Sequence, residues 1–151
     1  YLIIKLVERL ILEDVDEKPI FHLTVENLQL IDRSSNWNHI WLNFLSKITH
    51  KLGLGPTVFH CHRCEQTLFD GGRFQLGQQQ FVCKSCFTGD ESVLLSPNSV
   101  KLLKLLQTNS FQMLSSIQFI DQVAVEVEEV YLRIVTDWLN KPWQAYSSLK
   151  K

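Results

Sequence analysis

Every cysteine of the chain falls in two short clusters, Cys61-His62-Arg63-Cys64 and Cys83-Lys84-Ser85-Cys86, with eighteen residues between them. Cysteines two residues apart suit a tetrahedral metal ion, because each tight turn aims two sulfurs at a single point. The spacing predicts a structural Zn2+ held by Cys61, Cys64, Cys83 and Cys86. Four thiolates close the coordination shell and leave no open position for catalysis. Two disulfides or unliganded thiols are the competing accounts, and no secretory signal points to an oxidising compartment. An iron–sulfur cluster takes the same donors, and spacing alone leaves it open. His60 precedes the first pair and His62 lies inside it, and either would serve as a ligand only if a cysteine were out of register.

Arg63, Arg73 and Lys84 surround the cysteines and are candidate phosphate contacts, although Glu65 and Asp70 offset them and plain solvation is the commoner account of such scattered cations. The whole chain offers no strong positive field. Fifteen Lys and Arg against sixteen Asp and Glu give a net charge of −1, so any nucleic-acid contact has to be local. Catalytic patterns of the G-x-S-x-G, Walker or H-E-x-x-H type are absent, and Gly71-Gly72 lacks the strand-to-helix context of a phosphate cradle. The sequence therefore reads as non-enzymatic.

The elements that must position these cysteines are mostly helical. Leu2, Ile3, Leu6, Val7, Leu10 and Ile11 recur at helical spacing and predict a helix over residues 1–12, broadened by Ile4 and Leu12 into a well-buried stripe. Pro19 opens a second, over residues 19–31. Ser34, Ser35 and Asn36 cap a third, whose Trp37, Ile40, Trp41, Phe44, Leu45, Ile48 and Leu52 share a face, and Gly53 ends it. The opposite face, Asn38, His39, Asn43, Lys47 and His50, reads as solvated. Between Cys61 and Cys86 the rhythm stops, and Thr67-Leu68-Phe69 before Asp70-Gly71-Gly72 reads as a strand and turn. Ser96-Pro97 starts a fourth helix ending near Gln107. A long helix runs over residues 116–139, with Glu129, Arg133 and Asp137 spaced for surface ion pairs.

A length of 151 residues with 45% hydrophobic and 21% charged residues is that of one ordinary domain. Charges interrupt every apolar stretch before membrane-spanning length. The expected class is mainly α: a helical bundle over residues 1–151 with a zinc ribbon, including a short β-hairpin, inserted at residues 61–87. The chain starts at Tyr1 and reads as cut from a longer polypeptide.

The order of these features resembles the C-terminal region of the RecO family of bacterial recombination mediators. The matching pieces are the opening Tyr1-Leu2-Ile3-Ile4-Lys5-Leu6-Val7-Glu8-Arg9-Leu10, Phe44-Leu45 leading into Leu52-Gly53-Leu54-Gly55-Pro56, the two cysteine knuckles, Leu95-Ser96-Pro97, Tyr131-Leu132 and the stretch from Lys141 to Leu149. The resemblance implies an N-terminal OB-fold domain absent from this chain, and a cytoplasmic, non-catalytic role in DNA repair and recombination after DNA damage. It implies as partners RecR, the acidic C-terminal tail of single-stranded-DNA-binding protein, and single-stranded DNA, the last bound mainly by the OB domain, in the service of RecA loading. Where some relatives carry arginines suited to that tail, this chain has His39-Ile40-Trp41-Leu42-Asn43. A zinc-stapled helical interaction module outside DNA repair is the alternative that the residues by themselves permit.

Overall fold

The computed structural model describes residues 1–11, 16–89 and 91–140. Leu12, part of the acidic cluster after it, and the stretch from Lys141 lie outside the described residues. The elements run α1 (Leu2–Ile11), α2 (Glu17–Arg33), α3 (Trp37–Lys51), β1 (Gly72–Gln75), β2 (Gln80–Val82), β3 (Ser92–Leu95), α4 (Pro97–Thr108), α5 (Phe111–Leu114) and α6 (Asp121–Trp138). The mainly helical expectation with a small β insert holds. Among the described residues, no helix is long and apolar enough to cross a membrane.

α1 buries Ile3, Leu6 and Leu10, one stripe only. Ile4 is 39% exposed, so the broader burial expected for this helix is not found. α2 begins two residues ahead of Pro19 because Asp16 caps it, its side chain accepting from the Lys18 N–H. Pro19 then falls inside the first turn, where a helix has no use for the missing donor.

α3 is the central rod, packed against α2, α4, α5 and α6. It buries Asn43, Ser46 and Thr49 as well as its apolar residues. The solvated face expected for it is therefore largely absent. Asn43 is enclosed beside Asn27, Lys47 Nζ reaches the Asn109 carbonyl at 3.4 Å, and His39 Nε2 donates to the Ile117 carbonyl at 2.6 Å. His39 also lies against the Phe119 ring, at 4.4 Å between centroids. With Ile117 and Phe119 held in this way, residues 117–120 stay out of the helix, Ile120 itself is extended, and α6 starts at Asp121 instead of residue 116. Gly53 ends α3 as expected, at a φ of +73° that favours glycine.

The sheet has strand order β2-β1-β3, antiparallel throughout. Its pairs include Phe74 opposite Phe81 and Phe74 opposite Val93. The hairpin lies later than Thr67-Leu68-Phe69; those residues make only the isolated bridge of Thr67 with His60. β3 lies beyond residue 87 and leads through Ser96 directly into α4, while it packs on α6. One continuous apolar core therefore runs from Phe74, Phe81 and Val93 of the sheet into Val127, Val130 and Ile134 of α6 and on to α3.

Candidate metal centre

The first knuckle is shaped by local bonds. The Cys61 N–H donates to the Gln66 carbonyl at 2.8 Å, and the Glu65 N–H returns to the Cys61 carbonyl at 2.9 Å. Glu65 takes a φ of +59°, the left-handed conformation that closes the tight turn. The second knuckle, directly after β2, closes with the Cys86 N–H on the Cys83 carbonyl at 3.2 Å. A long-range backbone bond ties the first knuckle to the strand that leads into the second: the His62 N–H donates to the Phe81 carbonyl at 2.9 Å.

Gly71 and Gly72 make the convergence possible. A Cβ on Gly72 would lie 2.7 Å from the Val82 carbonyl oxygen, and one on Gly71, with φ +84°, would collide with that of Leu95. Gly71 and Gly72 thus allow close backbone approach at the start of β1, beyond simply turning the chain.

The four sulfurs of Cys61, Cys64, Cys83 and Cys86 all lie within 4.8 Å of one another. Zinc–thiolate bonds of about 2.3 Å in a tetrahedron set neighbouring sulfurs roughly 3.8 Å apart. The Cys64 and Cys83 sulfurs are 3.8 Å apart. The donor set therefore has the size and chemistry for one tetrahedral ion. Cys61 is buried and the other three are partly or fully exposed.

Electrostatics of the free thiols are divided. Burial pushes the Cys61 thiol up, but hydrogen bonds from the Cys83, Cys64 and Arg63 backbone outweigh it and bring it down to about 6. Proton sharing with the Cys83 and Cys64 sulfurs drives Cys86 the other way, to about 12. Cys61 thus favours the thiolate and Cys86 holds its proton, and binding of a cation would release that proton.

The flanking cations are placed as follows. Arg63 Nη1 donates to the Cys86 carbonyl at 2.8 Å and to the Thr88 hydroxyl, so it ties the first knuckle to the second and to the segment after it. Arg73 Nη1 donates to the Ser92 hydroxyl at 3.0 Å, with its guanidinium 4.6 Å from the centroid of the Phe87 ring. Lys84, His60 and His62 are exposed. Sequence reasoning missed Thr88, which receives Arg63 and whose carbonyl accepts from Gln75 Nε2 at 3.1 Å; no local spacing marks it.

The family described as recombination protein O C terminal matches residues 1–144. A DNA repair protein RecO of Acetivibrio thermocellus is 23% identical over 147 residues, covering 96% of this chain and 59% of that protein. One from Maridesulfovibrio salexigens is 25% identical over 105 residues, covering 68% of this chain and 43% of its own length. The chain thus spans three-fifths or less of these relatives. No solved structure matches it.

Proposed function

Because the chain belongs to the family of recombination protein O C-terminal regions, we propose that it is the helical, zinc-stapled portion of a DNA-repair recombination mediator, acting by docking instead of turnover. The family match over residues 1–144 carries this reading. Cys61, Cys64, Cys83 and Cys86 hold the Zn2+, which supplies a cross-link and no reaction. The sulfur spacing supports a single ion over an iron–sulfur cluster, whose irons and sulfides would spread the thiolates wider.

On this reading the molecule works in the cytoplasm with RecR, the tail of single-stranded-DNA-binding protein and single-stranded DNA, and a preceding OB domain makes much of the DNA contact. The acidic tail takes a groove of about 340 Å3 between α2, α3 and α5. Leu23, Leu30 and Phe111 give that groove an apolar floor, Lys47 and Lys51 give it cations and His50 an imidazole, with Glu26 the opposing charge. These lysines lie along α3 beyond Asn43 and supply positive charge near the stretch where relatives carry arginines. Of the ribbon cations, Lys84 is the one proposed to meet phosphate, since Arg63 and Arg73 already make contacts within the ribbon.

Binding of the chain to immobilised RecR and to a fluorescent peptide with the acidic tail's sequence tests the proposal. The expected result is binding to at least one of them, with Lys51→Glu weakening the peptide roughly fivefold. Binding to neither overturns it.

A further inference from the structure

Val58 and Leu68 are buried, and the alternation of extended backbone about the His60–Thr67 bridge turns their neighbours Phe59 and Phe69 outward. Phe69 is 69% exposed and Phe59 38%. Isolated exposed apolar residues are ordinary. These two differ because they flank a single cation: the Lys104 ammonium lies 5.5 Å from the centroid of the Phe69 ring and 5.9 Å from that of Phe59. Lys104 projects from α4, which carries exposed Lys101 one turn earlier and no acidic side chain. On the ribbon side the nearest acids along the chain are Asp70, beside Phe69, and Glu65, four residues before it.

We propose that Phe59, Phe69 and Lys104 form a base-stacking platform for single-stranded nucleic acid, with Lys101 extending it along the phosphate backbone. The proposal rests on the DNA-repair reading above and adds to it a site in this portion of the chain. The chemistry of the patch selects the ligand. A purely apolar partner would use the rings and strand the ammonium, and a simple anion would use the ammonium and leave the rings wet. A single strand offers a flat π face and a negative charge in every nucleotide. In the free protein Lys104 rests against the ring faces; as bases take those faces, its ammonium turns to the adjoining phosphate.

Fluorescence anisotropy of a labelled 20-residue oligothymidylate with the zinc-loaded chain tests this. Phe59→Ala and Phe69→Ala are each expected to weaken binding about tenfold, and Phe69→Trp to restore it. Lys104→Gln should flatten the logarithmic salt dependence by about 0.7. An abasic strand of equal length should bind the unmodified protein about as weakly as the oligothymidylate binds the double alanine variant. Circular dichroism and melting of each variant confirm that it is folded. Folded alanine variants that bind like the unmodified chain, or equal binding of abasic and thymidylate strands, overturn the platform. So does failure of the unmodified chain to bind the strand, or displacement of the strand by an acidic peptide as effectively as by unlabelled DNA. None of these outcomes touches the RecR and tail-peptide test, so the mediator reading stands or falls separately.

Discussion

Four sulfurs within 4.8 Å of one another cannot all ionise in the absence of a cation, because like charges at that distance hold each other's protons on. Hydrogen bonding then splits the cluster: against burial, backbone N–H groups bring Cys61 down to about 6, while proton sharing with the Cys83 and Cys64 sulfurs pushes Cys86 up to about 12. Replacing one donor breaks the closed shell. Cys64→Ser is expected to lower retained zinc from one per chain to well below one after dialysis against a mild chelator, measured by elemental analysis, while the far-UV helical signal persists. The C-x-x-C pairs were legible because each spacing carries its own geometry. Arg63 was legible only as a cation, since its partner Thr88 is twenty-five residues away and nothing local announces the bond. Tyr131 is a second case of this kind. Its hydroxyl is buried and makes no well-formed hydrogen bond among the described residues, because the nearby Ser46 and Gln107 side chains donate to the Leu106 and Pro56 carbonyls; burial pushes its phenol up to about 12, and the two neighbours pull it only partly back. Tyr131→Phe removes an unsatisfied group at nearly constant shape, so urea unfolding should show no loss, or a gain of up to about 1 kcal/mol. A loss of about 2 kcal/mol or more would mean that the hydroxyl has a strong partner.

The start of α4 shows how elements depend on one another. Ser96-Pro97 announces a helix in any sequence, and the Ser96 hydroxyl does accept from the Ser99 N–H, at 3.3 Å. The stronger cap comes from another helix. Glu126 of α6 accepts from the Ser96 N–H at 2.8 Å and from the Ser99 hydroxyl at 2.6 Å, placing a negative charge at the positive end of α4. Burial pushes this carboxyl up, but the bonds from Ser96, Ser99 and Gln122 win and hold it below the usual 4.5. A depressed folded value means the contribution is complete above pH 4.5 and is lost as pH falls through the lower folded value. Glu126→Ala should cost about 1 to 2 kcal/mol near neutral pH. In paired urea titrations the gap between Glu126→Gln and the unmodified chain should narrow once pH drops below 4.5. The same cross-element logic explains the misread face of α3. Its polar residues have solvated periodicity, yet α2, the end of α4 and the segment before α6 fold against them, and His39, Asn43 and Lys47 become contacts that no single-helix pattern reveals.

For the molecule as a whole, the question is whether the zinc proposed for the four cysteines staples a peripheral loop or props up the domain. The apolar stripes predicted a bundle independent of residues 61–87, and helices α1 to α4 and the long α6 are where those stripes put them, to within a few residues at their ends. The sequence hid the continuity of the core. β3 lies past the second knuckle, its Val93 and Leu95 are buried, and the sheet shares one apolar cluster with α6. Pairing between distant strands leaves little local trace, which is why the third strand escaped the periodicity. The consequence for chelation is graded. Removing zinc frees the two knuckles, but Phe74, Phe81, Val93 and Leu95 keep their apolar partners, and α1, α2 and α5 make no substantial contact with the sheet. A chelated sample should therefore retain most of its helical circular dichroism at 20 °C and melt lower by on the order of 10 °C, with restoration on adding Zn2+. Because α6 binds the sheet on one side and α3 on the other, hydrogen exchange should rise first in residues 61–88, next in β3 and the facing part of α6, and least in α2 and α3. Collapse of the entire helical signal on chelation would mean that the sheet, and not α3, is the keystone of the core.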